Sequence, residues 1–264
     1  MKFSIVTPVF NGMPWLPECI ESVAAQRGEV DVEHLVLDGG STDGSREWLE
    51  VHRELGYTTV FEPDAGQTDA LVKGFARATG DVFGWLNADD VLEPGALREV
   101  AAVFEADPEL ALVGGCCVLV DEAGDFRGLI GTPRSEDHRG LVTHIDNPPQ
   151  PATFVRAAAY RAVGGLDRRY DLAMDVDLWL RIARRGRVRF LPRTILARFR
   201  IHEAAKSVKA QRQAIRQDLS IRRRHGLSLR SQAGVQELYR VYVSLPSSSL
   251  RHALWRVGGR LITR

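Results

Sequence analysis

The chain has 264 residues, is 44% hydrophobic and 26% charged, and carries a formal net charge of +1. Those values fit one large domain with a sizeable core, or a domain with a tail. No run of about 18 consecutive apolar residues occurs, which argues against a spanning helix.

The small net charge hides an asymmetry. Residues 1–180 hold 14 Lys plus Arg against 31 Asp plus Glu, whereas residues 181–264 hold 21 against 3. A basic tail attracts anionic partners, such as a membrane surface, a phosphorylated acceptor or nucleic acid, unless it folds back on the acidic part and neutralises it. The first residues enter a strand-like run at once, so a secretory signal is not expected. Cys19, Cys116 and Cys117 show no metal-ligand spacing and read as reduced thiols of a cytoplasmic chain.

Taken in order, Lys2 to Phe10 is a buried strand followed by an Asn11-Gly12 turn, and Leu16, Ile20, Val23 and Ala24 fall at helical spacing. His34 to Leu37 is a second strand. It ends in Asp38-Gly39-Gly40-Ser41-Thr42-Asp43-Gly44, whose small residues allow close approach of a nucleotide but match neither a dinucleotide fingerprint nor a P-loop. Trp48, Leu49, His52 and Leu55 mark the next helix. Thr58 to Phe61 is a third strand, and Ala70, Leu71, Gly74, Phe75 and Ala78 trace a helix that stops at Gly80. Val82 to Leu86 is the fourth strand. Four strand-loop-helix units in succession predict a mainly parallel, doubly wound α/β sheet with helices on both faces.

The fourth strand stops in Asn87, Asp89 and Asp90, hard oxygen ligands at the carboxyl edge, where open α/β sheets bind ligands. They offer a seat for a divalent cation carrying a diphosphate. The alternative is that Asp89 and Asp90 cap a helix starting at Pro94. That helix runs to Ala106, Leu110 to Val120 is a strand, and a turn at Asp121–Asp125 leads to a hairpin partner ending at Ile130. Residues 131–150 read as a mobile loop over the site, and Thr153 to Tyr160 is ambiguous. Met174 to Ala183 is a helix with Asp175 and Asp177 at its start, and Phe190 to Phe199 is a strand. Beyond Ala205 the chain turns helical and basic, with Arg222-Arg223-Arg224, and the last 15 residues fit an amphipathic surface helix.

Seven ordered motifs carry a resemblance. They are Ile5–Asn11, Asp38–Gly44, Glu62-Pro63-Asp64-Ala65-Gly66, Ala78-Thr79-Gly80-Asp81, Asn87-Ala88-Asp89-Asp90, Met174–Arg181 and Arg200-Ile201-His202. Over residues 3–210 the chain resembles an inverting family 2 glycosyltransferase with the GT-A fold. The resemblance implies a Rossmann-like domain over residues 1–205, with a nucleotide-sugar half (1–120) and an acceptor half (121–205), followed by a basic helical extension over 206–264.

By the same resemblance, Thr7, Pro8, Phe10 and Asn11 line the base pocket, and Asp38 accepts a hydrogen bond from the imide N–H of uracil or guanine. Many relatives carry a second acid where Gly39 stands. Gly66 and Asp69 shape the donor pocket, and Asn87, Ala88 and Asp89 align with the family's Asp-x-Asp motif, an amide replacing its first acid. Asp89, Asp90 and His202 are the implied ligands of Mn²⁺ or Mg²⁺, with Lys206 nearby. Asp175 is the implied general base, and Gln150, Phe154 and Arg156 fall on the acceptor side.

The implied activity is transfer of a sugar from a nucleoside diphosphate, UDP before GDP or dTDP, to a hydroxyl of a sugar or lipid-linked acceptor in surface polysaccharide or glycolipid synthesis. The basic tail would dock on the inner membrane leaflet. The alternatives are a non-catalytic nucleotide-sugar-binding module of the same fold and a sugar-1-phosphate nucleotidyltransferase. The latter would show a Gly-rich basic loop after the first strand, which Asn11-Gly12-Met13-Pro14-Trp15 is not. Nucleic-acid binding by the arginine-rich tail is the weakest reading.

Overall fold

A computed structural model describes residues 1–143, 147–203, 205, 206 and 210–227. The surface helix expected over the last 15 residues lies outside the described residues. No helix among the described residues is long and apolar enough to cross a membrane.

The first four units form as their periodicity predicts. They are β1 (Lys2–Val9), α1 (Leu16–Ala24), β2 (Asp31–Asp38), α2 (Ser45–Val51), β3 (Thr58–Phe61), α3 (Gln67–Arg77) and β4 (Val82–Trp85). Their strands pair in parallel in the order β3-β2-β1-β4. Phe3, Ile5, Val6, Val82 and Phe83 are all at most 1% exposed, because a parallel sheet is covered on both faces and its strands need no polar side. On α3, a Cβ at Gly74 would come within 2.4 Å of Val6 Cγ1 and 2.9 Å of Leu37 Cδ1, so this glycine lets the helix press onto β1 and β2.

The second half of the sheet is mixed. It contains β5 (Val91–Leu92), β6 (Leu110–Val120), β7 (Phe126–Ile130), β8 (Thr153–Arg156) and β9 (Arg187–Arg200). β8 lies antiparallel between β4 and β6, β9 runs parallel to β6 along its length, and β5 closes the far edge against β9. β7 continues the β8 side of β6 as the expected hairpin partner. The helices here are α4 (Ala96–Ala106), α5 (His138–Thr143), α6 (Ala157–Ala162), α7 (Met174–Ala183) and α8 (Gln211–Arg224). The stretch expected to be a mobile loop therefore contains α5, and the ambiguous Thr153–Tyr160 resolves into β8 and the start of α6.

One expectation about loops needs correction. Asp89 and Asp90 do not cap the next helix, because β5 intervenes and α4 starts at Ala96 behind Gly95, with no side-chain cap. The Ala78-Thr79-Gly80-Asp81 motif lies at the amino end of β4, away from the ligand edge. There Gly80 N–H donates to Ser4 Oγ (2.8 Å), Asp81 N–H to the Lys2 carbonyl (2.8 Å) and Lys2 N–H to Asp81 Oδ2 (2.9 Å). This motif fixes the β1–β4 register.

The helix opening the expected basic extension is built into the domain. Ile221 and Leu227 join the same core cluster as Val6, Trp85 and Trp179. Arg222 is 1% exposed and Arg224 bonds the Tyr170 hydroxyl.

Candidate active site

At the carboxyl edge, β1 hands the chain to Phe10, which is 70% exposed, and to Asn11, which takes a left-handed φ of 55°. Asn tolerates that region better than most residues. Asn11 N–H donates to Ser41 Oγ (2.8 Å) and its Oδ1 accepts from Thr42 N–H (2.9 Å). Gly12 N–H donates to Ser45 Oγ (3.0 Å) and Met13 N–H to Asp43 Oδ2 (2.8 Å). The Asn11 turn and the Asp38–Gly44 loop are thus one stitched surface.

Asp38 sits beneath it, 2% exposed. Its Oδ1 accepts from the N–H (3.0 Å) and hydroxyl of Ser41, while its Oδ2 is buried with no partner. A buried acceptor without a donor is costly, and a base N–H is a donor of the right kind. Beside it, a Cβ on Gly39 would lie 2.3 Å from Asp64 Oδ2, while Asp64 Oδ1 accepts from Gly66 N–H (2.8 Å). Asp64, from the next loop, thereby takes up the space that a side chain at position 39 would fill.

Thr7 requires a correction. It is fully buried and its hydroxyl is 2.9 Å from His34 Nε2, so it props the sheet from within and does not line a pocket. Pro8 is half-buried on β1, paired with Leu37.

The Asn87–Asp90 turn follows β4 and is closed by Asp90 N–H to the Asn87 carbonyl (3.0 Å). Asn87 Oδ1 accepts from Gln67 Nε2 (2.7 Å), and its Nδ2 donates to Asp90 Oδ2 (3.1 Å) and Gln150 Oε1 (3.1 Å). Gln150 in turn donates to the Trp85 carbonyl (2.7 Å). The amide is fully engaged, so it positions its neighbours. Ala88 abuts the β1 loop, where a Cβ on Gly12 would stand 3.1 Å from its own.

Asp90 is 1% exposed and turned inward, its second oxygen accepting from Arg200 N–H (3.0 Å). Burial and the neighbouring Asp89 push its carboxyl pKa well up. With both oxygens accepting from the protein, Asp90 braces the turn. Asp89 faces outward, its side chain 28% exposed and its Oδ2 2.9 Å from His202 Nε2. The His202 ring packs against Trp15, tilted by 40° with centroids 4.2 Å apart, and its Nδ1 has no partner.

Arg200, 3% exposed, holds this cluster together, and no feature of the sequence singled it out for that role. Its Nε donates to the Asp89 carbonyl (3.1 Å), Nη1 to the carbonyls of Asp121 (3.1 Å) and Glu122 (3.3 Å), and Nη2 to Glu18 Oε2 (2.5 Å). Trp15 Nε1 also reaches the Glu122 carbonyl (3.2 Å). The β6–β7 turn is therefore pinned beside Asp89.

On the α7 side, Lys206 Nζ bonds Asp171 Oδ2 (2.7 Å) and Gln67 Oε1 (3.4 Å), joining the approach to α7 to the Asn87 network. Gly66, at φ 114°, accommodates this, since a Cβ there would lie 3.2 Å from Asp171 Oδ1. Asp69 is tied to Arg168 (2.8 Å), Lys73 (3.0 Å) and Ala65 N–H (3.2 Å), so it fixes the loop from behind. Asp175 opens α7 one turn before Trp179, whose indole stacks on Trp85 at 5.2 Å, two residues ahead of Asn87. Burial above all, then the charge of Asp218, raises its pKa to about 6 against the opposing Val176 N–H and Arg222.

Asp38, Asn11 and Phe10 thus border one loop surface, and Asn87, Asp89, His202 and Gln150 the next strand end. Phe154 and Arg156 lie elsewhere. Phe154 is buried against Gly84, and Arg156 bonds the carbonyls of Leu110 and Phe104 at the opposite edge. Among the described residues no three His, Cys, Asp or Glu side chains group as a metal site. Asp89 and His202 nonetheless fit a hard cation as a pair. Their 2.9 Å separation is that of a hydrogen bond, and the carboxylate oxygen and imidazole nitrogen would offer two donors to such an ion.

The architecture is that of the GT-A glycosyltransferases. It is similar to S. aureus TarS in complex with UDP-GlcNAc, with a TM-score of 0.68 over 84% of this chain and 66% of that one, at 16% identity. It is also similar to the mannosyltransferase PcManGT from Pyrobaculum calidifontis in complex with GDP-Man and Mn²⁺, with a TM-score of 0.60 over 99% and 80%, at 21% identity. The sequence narrows this further: residues 4–181 match the model for glycosyl transferase family 2, and the chain belongs to that family. Among its relatives, an uncharacterized glycosyltransferase of Nostoc sp. is 29% identical over 80% of this chain and 68% of its own length. A PGL/p-HBAD biosynthesis glycosyltransferase of Mycobacterium bovis is 30% identical over 68% of each chain. The O-antigen biosynthesis protein RfbC of Myxococcus xanthus is 36% identical over 68% of this chain, which spans only 14% of that longer protein.

Proposed function

We propose that this family 2 glycosyltransferase is metal-dependent and inverting, and that it moves a sugar from a nucleoside diphosphate, UDP before GDP or dTDP, to an acceptor hydroxyl. The observation that carries the reading is the outward Asp89–His202 pair at the end of β4, one loop away from the unpartnered Oδ2 of Asp38.

In this reading Asp38 Oδ2 accepts the imide N–H of the base, which excludes cytosine because it has no such donor. Exposed Phe10 offers its ring to the base, and Asp64 stands beside Asp38 to accept a further donor. Asp89 and His202 hold Mn²⁺ or Mg²⁺, which when bound neutralises charge on the departing diphosphate as a Lewis acid. Lys206, held by Asp171 and Gln67, adds positive charge on the same side. Asp175 takes the proton of the acceptor hydroxyl as its oxygen bonds to the anomeric carbon and the bond to the diphosphate breaks. One displacement inverts the centre. With its pKa raised to about 6, Asp175 is ionised at neutral pH yet more basic than an ordinary aspartate.

The O-antigen and PGL/p-HBAD biosynthesis roles of the Myxococcus and Mycobacterium relatives support an acceptor in surface polysaccharide or glycolipid assembly. Membrane docking, on this reading, rests on residues 228–264, since Arg222 is buried in the fold and Arg224, though exposed, bonds the Tyr170 hydroxyl. Flotation with anionic liposomes, unchanged when Arg251, Arg256, Arg260 and Arg264 are replaced by Gln, would count against it.

The test of the site is thermal stability with UDP and Mn²⁺. Wild type should be stabilised by the two together, and Asp89→Ala should lose the Mn²⁺-dependent part. Equal stabilisation of both proteins would refute the assignment.

A further inference from the structure

The family match ends at residue 181, and α8 lies beyond it. Nonetheless α8 is packed against the start of α7. Leu172 N–H, three residues before Asp175, donates to Gln217 Oε1 (3.2 Å). The next residue, Asp218, accepts from Arg222 Nε (2.8 Å) one turn along α8. The Arg222 side chain is 1% exposed, and its partners include the carbonyls of Leu141 and Val142 (3.2 Å) on α5 and the Oδ1 of Asn147. Neighbouring charges are committed elsewhere. Asp177 and Arg181 of α7 pair with each other at 2.6 Å, and His138 of α5 meets His225 at 3.0 Å.

A guanidinium this deeply buried would attract any carboxylate nearby, and losing the Asp218 pairing would strengthen that pull. We propose that α8 is a working part of the active site, with Asp218 as a positioning residue that occupies Arg222 and leaves the Asp175 carboxylate free to take up the acceptor proton. Electrostatics agree in sign, since Asp218 raises the pKa of Asp175 and Arg222 lowers it. This inference rests on Asp175 being the base.

The experiment is the pH profile of kcat/KM for sugar transfer by the full chain, as wild type, D218N, D218E, Q217E and D175N. D218N should move the acid limb down by about one pH unit and lower the plateau several-fold, and D218E should restore both. Q217E keeps the acceptor for Leu172 N–H and adds negative charge one residue from Asp218, so its limb should move up. The two opposite shifts separate an electrostatic role from a structural one, and Q217E remains informative should D218N not fold. Limbs unmoved in folded variants would overturn the proposal. If D175N keeps the wild-type rate and limb, the reading of Asp175 fails, and this inference fails with it. That outcome is distinct from an inactive D175N beside an unmoved D218N, which would sink the role of α8 alone.

Discussion

Replacing Asp175 by Asn should stabilise the fold while greatly slowing transfer. The Asp175 carboxyl is raised from 3.8 to about 6, mainly by burial. At about 1.36 kcal/mol per unit, that is on the order of 3 kcal/mol as an upper bound. The folded chain holds this proton more tightly than the unfolded chain does. The stability it contributes is therefore fully present below the unfolded value and is lost as pH rises through about 6. Asn keeps the shape without the charge, so Asp175→Asn should escape that loss. At pH 8 the variant should melt several degrees higher, at roughly 2–4 °C per kcal/mol for a domain of this size, and near pH 4 the gap should close. His34 titrates over an overlapping window with the opposite sign, its pKa lowered to about 3 by burial and by Arg27. It does so in both proteins, so the difference between their melting curves is the quantity to read. A difference independent of pH, or a variant less stable than wild type at pH 8, would refute the reasoning.

Gly39→Ala should drive Asp64 off Gly66 N–H, because the new methyl would lie 2.3 Å from Asp64 Oδ2. The expected cost is about 1–3 kcal/mol. It should shrink in an Asp64→Ala background, as a double-mutant cycle by denaturant unfolding would detect, and equal costs in both backgrounds would rule out the contact. Arg200→Met should lose roughly 3–5 kcal/mol by removing the buried guanidinium that binds Asp89, Asp121, Glu122 and Glu18. A fall below about 1 kcal/mol in the same assay would show that the hub is dispensable.

The parallel half of the sheet was legible because its strands are short apolar runs broken by glycine-rich loops, a pattern that few other folds produce. The Asn87–Asp90 turn was placed at the end of β4 because an apolar run breaks there into polar residues, but the bracing roles of Asn87 and Asp90 depend on distant partners, Gln67, Gln150 and Arg200, that leave no local pattern. The Asp38 loop was recognised, yet the contact of Asp64 with Gly39 was not, since two loops meeting in space leave no periodicity. Thr7 was misplaced because a strand buried on both faces gives no alternation to say which way a side chain points. Arg200 was read only as part of the Arg200-Ile201-His202 motif, and its role as a hub went unassigned. Its partners lie at Glu18, Asp89 and the β6–β7 turn, and only the β6–β9 pairing brings them together. Likewise, the excess of arginine beyond residue 181 suggested an outward-facing tail, whereas Arg222 is among the largest fully buried side chains.

The account divides labour between two acids: Asp89 binds, and Asp175 reacts. Measuring Mn²⁺-dependent UDP-sugar affinity and single-turnover transfer in parallel for Asp89→Ala and Asp175→Asn tests that division directly. The prediction is that Asp175→Asn binds donor as wild type does but transfers 10²- to 10⁴-fold more slowly, as about expected for loss of a general base, while Asp89→Ala loses the binding itself. An Asp175→Asn protein that transfers at the wild-type rate, or an Asp89→Ala protein that binds donor with unchanged Mn²⁺ dependence, would contradict it.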